Sequence, residues 1–210
     1  MAINYPLVMP VQTKSVGRVR MVGAAAVAVS RSPFTFEEQV QVHQGQIWRA
    51  EITIPPMNRP FASKWTSFLL KLNGREGTFL MGDPAAQLPR GTASTAPGTP
   101  LVNSSGQTGN TLAIDGLPVS TTGYLMAGDY IQLGSSATAR LHQVLDHVNT
   151  NTSGGTTLSI WPKLRESPTN NANVIVLAPV GVFRLAENEM GWDIEPNPIY
   201  TVSLNVIEAI

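Results

Sequence analysis

Gln46-Ile47-Trp48-Arg49-Ala50-Glu51-Ile52-Thr53-Ile54-Pro55-Pro56 decides how this chain reads, together with the segment that follows it to Pro84. Ala50, Ile52 and Ile54 alternate with polar neighbours, which is the period of a half-buried strand. Pro55-Pro56 is expected to stop that strand, because proline cannot donate to a ladder. Asn58 suits a helix N-cap and Pro60 a first helical turn. Phe61, Trp65, Phe68, Leu69 and Leu72 then recur at i, i+4, i+7, i+8 and i+11, one face of a helix of three to four turns. Asn73-Gly74 is a C-cap signal. Thr78 to Met81 reads as the next strand, and Gly82-Asp83-Pro84 as the turn by which the chain leaves it. The five apolar residues are the expected helix core, packed against a sheet.

Upstream, Asn4 to Lys14 is a proline-punctuated arm containing Tyr5, Pro6, Leu7 and Pro10. Its composition predicts an extended lead-in that either docks on a neighbour or pairs as a sheet edge. Val16 to Ser30 carries Val16, Val19, Met21 and a run of Ala and Val, read as strands split near Gly23. Arg31-Ser32-Pro33 is a turn. Gln39 to Ile54 alternates in parts, with Gly45 the candidate hairpin turn.

Downstream, Gln87 to Ser105 is rich in Pro, Gly, Ser and Thr, the composition of a linker or long loop. Short strands are expected at 111–114, 130–133, 139–148, 157–161 and 173–177, separated by Gly, Asn and Asp turns, a pattern of a small barrel or sandwich. Val180 to Leu185, Glu189 to Ile194 and Tyr200 to Ile207 read as further strands, the last alternating through Tyr200, Val202, Leu204 and Val206. The expected fold class is mainly β with one packed α-helix (α+β). The expected layout is a discontinuous sandwich or barrel-like domain, 1–93 with 180–210, and a small inserted β-barrel domain at 94–179.

Bulk properties narrow the function. The 210 residues carry no net charge, and only 13% are charged, against about 25% for an average globular domain. Phosphate binding needs clustered Lys and Arg, so a nucleic-acid partner is not expected. The absence of cysteine excludes disulfides and thiolate metal sites. The first residues lack a basic segment followed by an apolar run, so a signal peptide is not expected. The run Val22 to Val29 is far below the roughly 20 residues of a membrane span, and a soluble protein is expected.

Catalytic patterns are missing too. His43, His142 and His147 are expected on the surface or on an edge strand, and a five-residue spacing puts His142 and His147 on opposite faces of a strand. There is no HExxH and no GxSxG. Gly106 to Thr111 lacks the Gly-Lys-Ser/Thr ending of a phosphate loop and reads as a turn. Asp115, Asp129 and Asp146 sit at turns or strand ends, as do Glu187 and Glu189, where turn geometry explains them better than an acid–base pair. Trp161 is the candidate sugar platform among four tryptophans. No catalytic residue, cofactor or metal is expected.

Many segments, in order, resemble the distal tail proteins, minor tail proteins of long-tailed, siphovirus-type bacteriophages. They include Tyr5-Pro6-Leu7, Ala26 to Thr35, Gly45 to Trp48, Pro55-Pro56-Met57, the helix through Trp65 and Leu70, Gly77 to Pro84 and Pro89-Arg90-Gly91. They continue with Gly106 to Gly109, Ala127 to Tyr130, Ile160-Trp161-Pro162, Gly181 to Leu185 and Glu189 to Trp192. The resemblance implies a structural virion protein of the tail tip, made in the bacterial cytoplasm. It implies a homo-oligomeric, commonly six-fold ring that joins the tail tube protein to the hub or central fibre proteins. Tyr5, Pro6, Leu7 and Pro10 are then the expected oligomer arm, and loss of residues 1–12 is expected to weaken assembly. Many members of that family carry an outward β domain, some binding carbohydrate. The competing expectation is therefore a carbohydrate-binding module that recognises the host surface through Trp161.

Overall fold

The computed structural model describes residues 3–10, 17–197 and 199–210. It is mainly β with one helix, as the periodicities predict. The strands are β1 (Leu7–Val8), β2 (Arg18–Arg31), β3 (Glu38–Asn58), β4 (Phe79–Met81), β5 (Leu101–Val102), β6 (Gly109–Asp115) and β7 (Tyr130–Leu133). They continue as β8 (Arg140–Val144), β9 (Thr156–Leu164), β10 (Val174–Ile175), β11 (Gly181–Leu185), β12 (Asp193–Ile194) and β13 (Ile199–Glu208). The helix α1 (Arg59–Leu72) lies between β3 and β4.

Two sheets form. The first runs β1-β4-β11-β13-β3-β2, with β12 beside β13, and so draws on both ends of the chain. It curls, because Val8 and Met9 beside one edge and Val19 at the other line a common cavity. The second runs β10-β7-β8-β9-β6-β5. It nearly closes into a barrel, since Val102 donates to the Ala172 carbonyl at 2.9 Å and Val174 to that of Pro100 at 3.0 Å. Closure of this kind removes exposed edges.

The helix begins and ends where its sequence signals predict, although the Asn58 side chain makes no capping bond. Asn58 stands in an extended conformation at the N-cap and Asn73 in the left-handed region at the C-cap, with φ 49°. Trp65, Phe68, Leu69 and Leu72 are buried on the first sheet. Trp65 meets Phe68 edge-on at 5.9 Å, and Phe68 meets Phe79 of β4 at 5.5 Å. Phe61 departs from the expected core and is 57% exposed. The buried stripe begins at Ala62, so Phe61 falls to its flank in the first turn, where Lys64 lies 5.6 Å from its ring.

Three expectations about the long strands need correction. Pro55-Pro56 does not stop β3, which pairs with β13 as far as Asn58. The register passes from Ile54↔Val202 to Met57↔Tyr200, so the two prolines stand against Thr201 alone. That bulge absorbs their missing donors. On the other side of β3 the ladder with β2 has already ended at Thr53. Gly45 is not the hairpin turn either, and β2 is not split at Gly23. Both strands run on, with His43, Gln44 and Gly45 bulging opposite Ala26. The turn lies at Ser32 to Glu37, closed by Ser32 N–H to the Glu37 carbonyl at 2.9 Å.

The N-terminal arm pairs as a sheet edge within its own chain. Tyr5 donates its hydroxyl to the Lys71 carbonyl at 2.7 Å, and Leu7 pairs in parallel with Phe79. Tyr5, Leu7 and Met9 pack on the first core. Pro6 and Pro10 are half-buried. These residues therefore form an edge of their own subunit's sheet, the alternative left open by the sequence, and only Val8 faces fully outward. Residues 11–14 of the expected arm lie outside the described residues.

Candidate functional site

The register of β2 against β3 produces one feature that no other described segment covers. Directly paired residues in an antiparallel ladder share a side. Val19↔Ile52, Met21↔Ala50 and Gly23↔Trp48 therefore form one face, and Ile52, Ala50 and Trp48 are buried there. The same face continues past the core through Val27↔Val42 and Val29↔Val40. Those four valines are exposed, Val42 to 72%. The opposite face carries Ala28↔Gln41 and Ser30↔Gln39. From Ala24 to Arg31 the ribbon projects about 25 Å, at ~3.3 Å per residue. Its tip presents Phe34 and Phe36, 91% and 67% exposed.

A free two-stranded hairpin is only marginally stable in water. A contiguous apolar stripe on one is a feature that a chain acting alone rarely exposes. The tip is nonetheless ordered by its own bonds. Ser32 Oγ accepts from the backbone N–H groups of Phe34 and Thr35 at 3.3 and 3.2 Å. Arg31 pairs with Glu38 at 3.2 Å and places its guanidinium 5.7 Å from the Phe36 ring. Phe36 has a φ of 60°, an uncommon conformation for a bulky side chain.

Where the ribbon leaves the sheet, the barrel takes over as cover. Trp48 packs edge-on against Trp161 of β9 at 4.4 Å and donates its indole N–H to the Leu141 carbonyl at 3.0 Å. A Cβ on Gly23 would come within 2.7 Å of the Trp161 ring, so the outer end of the indole abuts the strand where only glycine leaves room for it. Trp161 is thus a half-buried joint between sheet and barrel, with one side packed on Gly23 and Trp48.

A charged node locks the same joint. Arg165, after β9, forms two bonds to the Glu208 carboxylate at 2.6 and 2.8 Å and donates to the Gln46 carbonyl at 2.7 Å. Glu208 also accepts from the backbone N–H of Trp48 at 3.1 Å. Gln46 in turn accepts from the Lys163 N–H. Bidentate geometry of this kind satisfies both carboxylate oxygens as water is excluded.

His142 lies beneath this node, and its expected surface place is corrected: it is buried. Its Nδ1 lies 2.6 Å from the Pro162 carbonyl. Burial pushes its pKa below the ordinary value, opposed by the Pro162 carbonyl and Glu208 and reinforced by Arg165 and Arg140. His147 is exposed and accepts from the Ala127 N–H at 3.3 Å through Nδ1. The two do not share a site. Burial, with a smaller push from Asp83, raises Tyr130 to about 12.

The carboxylates weighed as acid–base pairs serve turns. Asp129 is buried and accepts from the N–H groups of Arg90 and Met126, at 3.1 and 2.8 Å. Glu187, Glu189 and Asp146 face solvent. In the loop before β6, Gln107 mimics a strand partner, accepting from the Ala113 N–H at 2.6 Å and donating to its carbonyl at 3.0 Å. Among the described residues no group of three or more His, Asp or Glu is placed to hold a metal ion. No described helix is long and apolar enough to cross a membrane.

Alternation in Val27 to Val29 and Val40 to Val42 gave a signal for the ribbon, but it reads identically to a covered strand. The Arg165–Glu208 pair had no sequence signal, because its partners stand far apart in the chain. Comparison with protein-family models found no match, and no curated protein matches the chain.

Proposed function

We propose that this chain is a structural assembly protein, a ring-forming component of a bacteriophage tail tip that joins the tail tube to the hub or central fibre. The observation that carries the reading is the β2–β3 ribbon with its uncovered valine face. A protein that acted alone would have no use for such an arm, and its exposure would be an aggregation liability. Ring closure instead needs one patch on each copy to meet a different patch on the next. The order of segments shared with distal tail proteins supplies the specific setting, a homohexameric ring in the virion. The low charge content suits a chain that spends its surface in contacts.

Catalysis is not part of this reading. Carbohydrate recognition through Trp161 is the weaker reading, since that half-buried indole packs on Gly23 and Trp48. Negative-stain electron microscopy of the purified protein tests the proposal. Closed rings of one symmetry are expected. A glycan array is expected to give no signal that Trp161→Ala removes, and specific binding of that kind would replace the assembly reading with the carbohydrate one.

A further inference from the structure

We infer that the hairpin tip of one copy seats in the groove between β1 and α1 of the next, a head-to-tail contact between two copies of this chain. The inference rests on the ring reading and names the contact that would close it. The groove has a volume of about 460 Å³. Val8, Pro10, Ser67 and Phe68 line it, with Lys64 and Lys71 alongside. Val8, 79% exposed, is the outward residue of a strand whose free edge has no partner among the described residues. Neither lysine has an ion-pair partner among the described residues.

The tip offers the complement. Phe34 and Phe36 are apolar and outward, held so by Ser32 and by the left-handed backbone at Phe36. Glu37 follows directly, exposed, and has no ion pair among the described residues. Two aromatic rings against an apolar floor, with a carboxylate near two lysines, combine a buried anchor with charge complementarity. Topology supplies the direction. The ribbon leaves from β2 and β3 at one end of the first sheet, and the groove lies on β1 at the other. The patches therefore differ, as a cyclic heterologous contact requires. The ribbon's reach of about 25 Å extends well beyond its own sheet. Its tip does not occupy its own groove, since Phe34 touches almost nothing.

The chain has no cysteine, which makes paired-cysteine mapping clean. Phe34→Cys protein mixed with Ser67→Cys protein and treated with a short flexible bis-maleimide is expected to give a covalent dimer. The doubly substituted chain should give a ladder ending at the ring. Because Phe34→Cys itself trims the anchor, a second arm uses charge. Lys64→Glu with Lys71→Glu should raise the concentration needed for assembly about tenfold or more, and adding Glu37→Lys should restore part of it. Rings that form without a Phe34–Ser67 link, and that ignore the lysine reversal, overturn this contact while leaving the ring reading intact. Wild-type protein that stays monomeric at every concentration overturns both.

Discussion

The two halves of the β2–β3 ladder have the same strands, the same pairing and the same alternation, yet opposite fates. From Arg18 to Gly23, opposite Trp48 to Thr53, the inner face is covered by α1 and the barrel, fully at Trp48, Ala50 and Ile52 and in part at Val19 and Met21. From Val27 to Arg31, opposite Glu38 to Val42, the same face is exposed and no other described segment covers it. The difference is not one of apolar against polar residues, since apolar side chains stand on that face in both halves. It lies in what other segments bring to it: Trp65 and Phe68 from the helix, Trp161 and Leu141 from the barrel. One half of the ladder is thus covered by other segments of the chain, and on the reading proposed here the other half is the surface that meets a second copy.

Removing cover from the finished half should produce the largest effect. Trp65→Ala opens a cavity at the centre of the first core and is expected to cost about 3–5 kcal/mol, read as a shift in the urea midpoint. A loss below about 1 kcal/mol would mean that the helix does not seal this sheet.

Arg165→Met strands the Glu208 carboxylate at the joint where cover ends. Loss of one partner of a buried pair costs about 3 kcal/mol or more. Glu208→Met in the same chain should recover much of that, because the pair as a whole repays little beyond its own desolvation. Equal costs for the single and double variants would show that the node does not act as a pair.

His142 gives a smaller effect with a defined sign. Its folded pKa is depressed, chiefly by burial, with Arg165 and Arg140 adding to it and Glu208 and the Pro162 carbonyl opposing. The unfolded chain binds a proton near pH 6.5 that the folded chain refuses. Stability should therefore be fully present above about pH 6.5 and decline as pH falls below it. The decline continues until the folded pKa is reached. His142→Gln should flatten that slope in denaturant titrations, and an unchanged slope would move its origin elsewhere.

The unfinished half should respond least in stability and most in assembly. Val29→Ser with Val40→Ser alters side chains that no other segment covers, so the monomer's midpoint should move by no more than about 0.5 kcal/mol. Sedimentation velocity should nonetheless show assembly lost. A large stability cost would mean that the ribbon is already packed within the subunit.

The sequence made the helix, its caps and most strands legible, because those signals are local: Asn58 and Pro60 before an apolar stripe, Asn73-Gly74 after it. It misread Pro55-Pro56 and Gly45 because each is punctuation that a bulge can absorb, and bulges depend on the partner strand. Phe61 was misplaced because helical periodicity gives an angle and not the position at which the underlying sheet ends. Trp161, His142 and the Arg165–Glu208 pair were out of reach for a common reason. Their environment is the contact between β9 and strands from the two ends of the chain, which no window of sequence contains. The ribbon's residues were visible, but their lack of cover was not.

Mass photometry of the purified wild-type protein beside the Val29→Ser, Val40→Ser variant tests the central claim most directly. The account predicts closed particles of a single size for the wild type and monomers for the variant. Monomers for both, or identical rings for both, would contradict the assignment of the uncovered half of the β2–β3 ladder as the assembly surface.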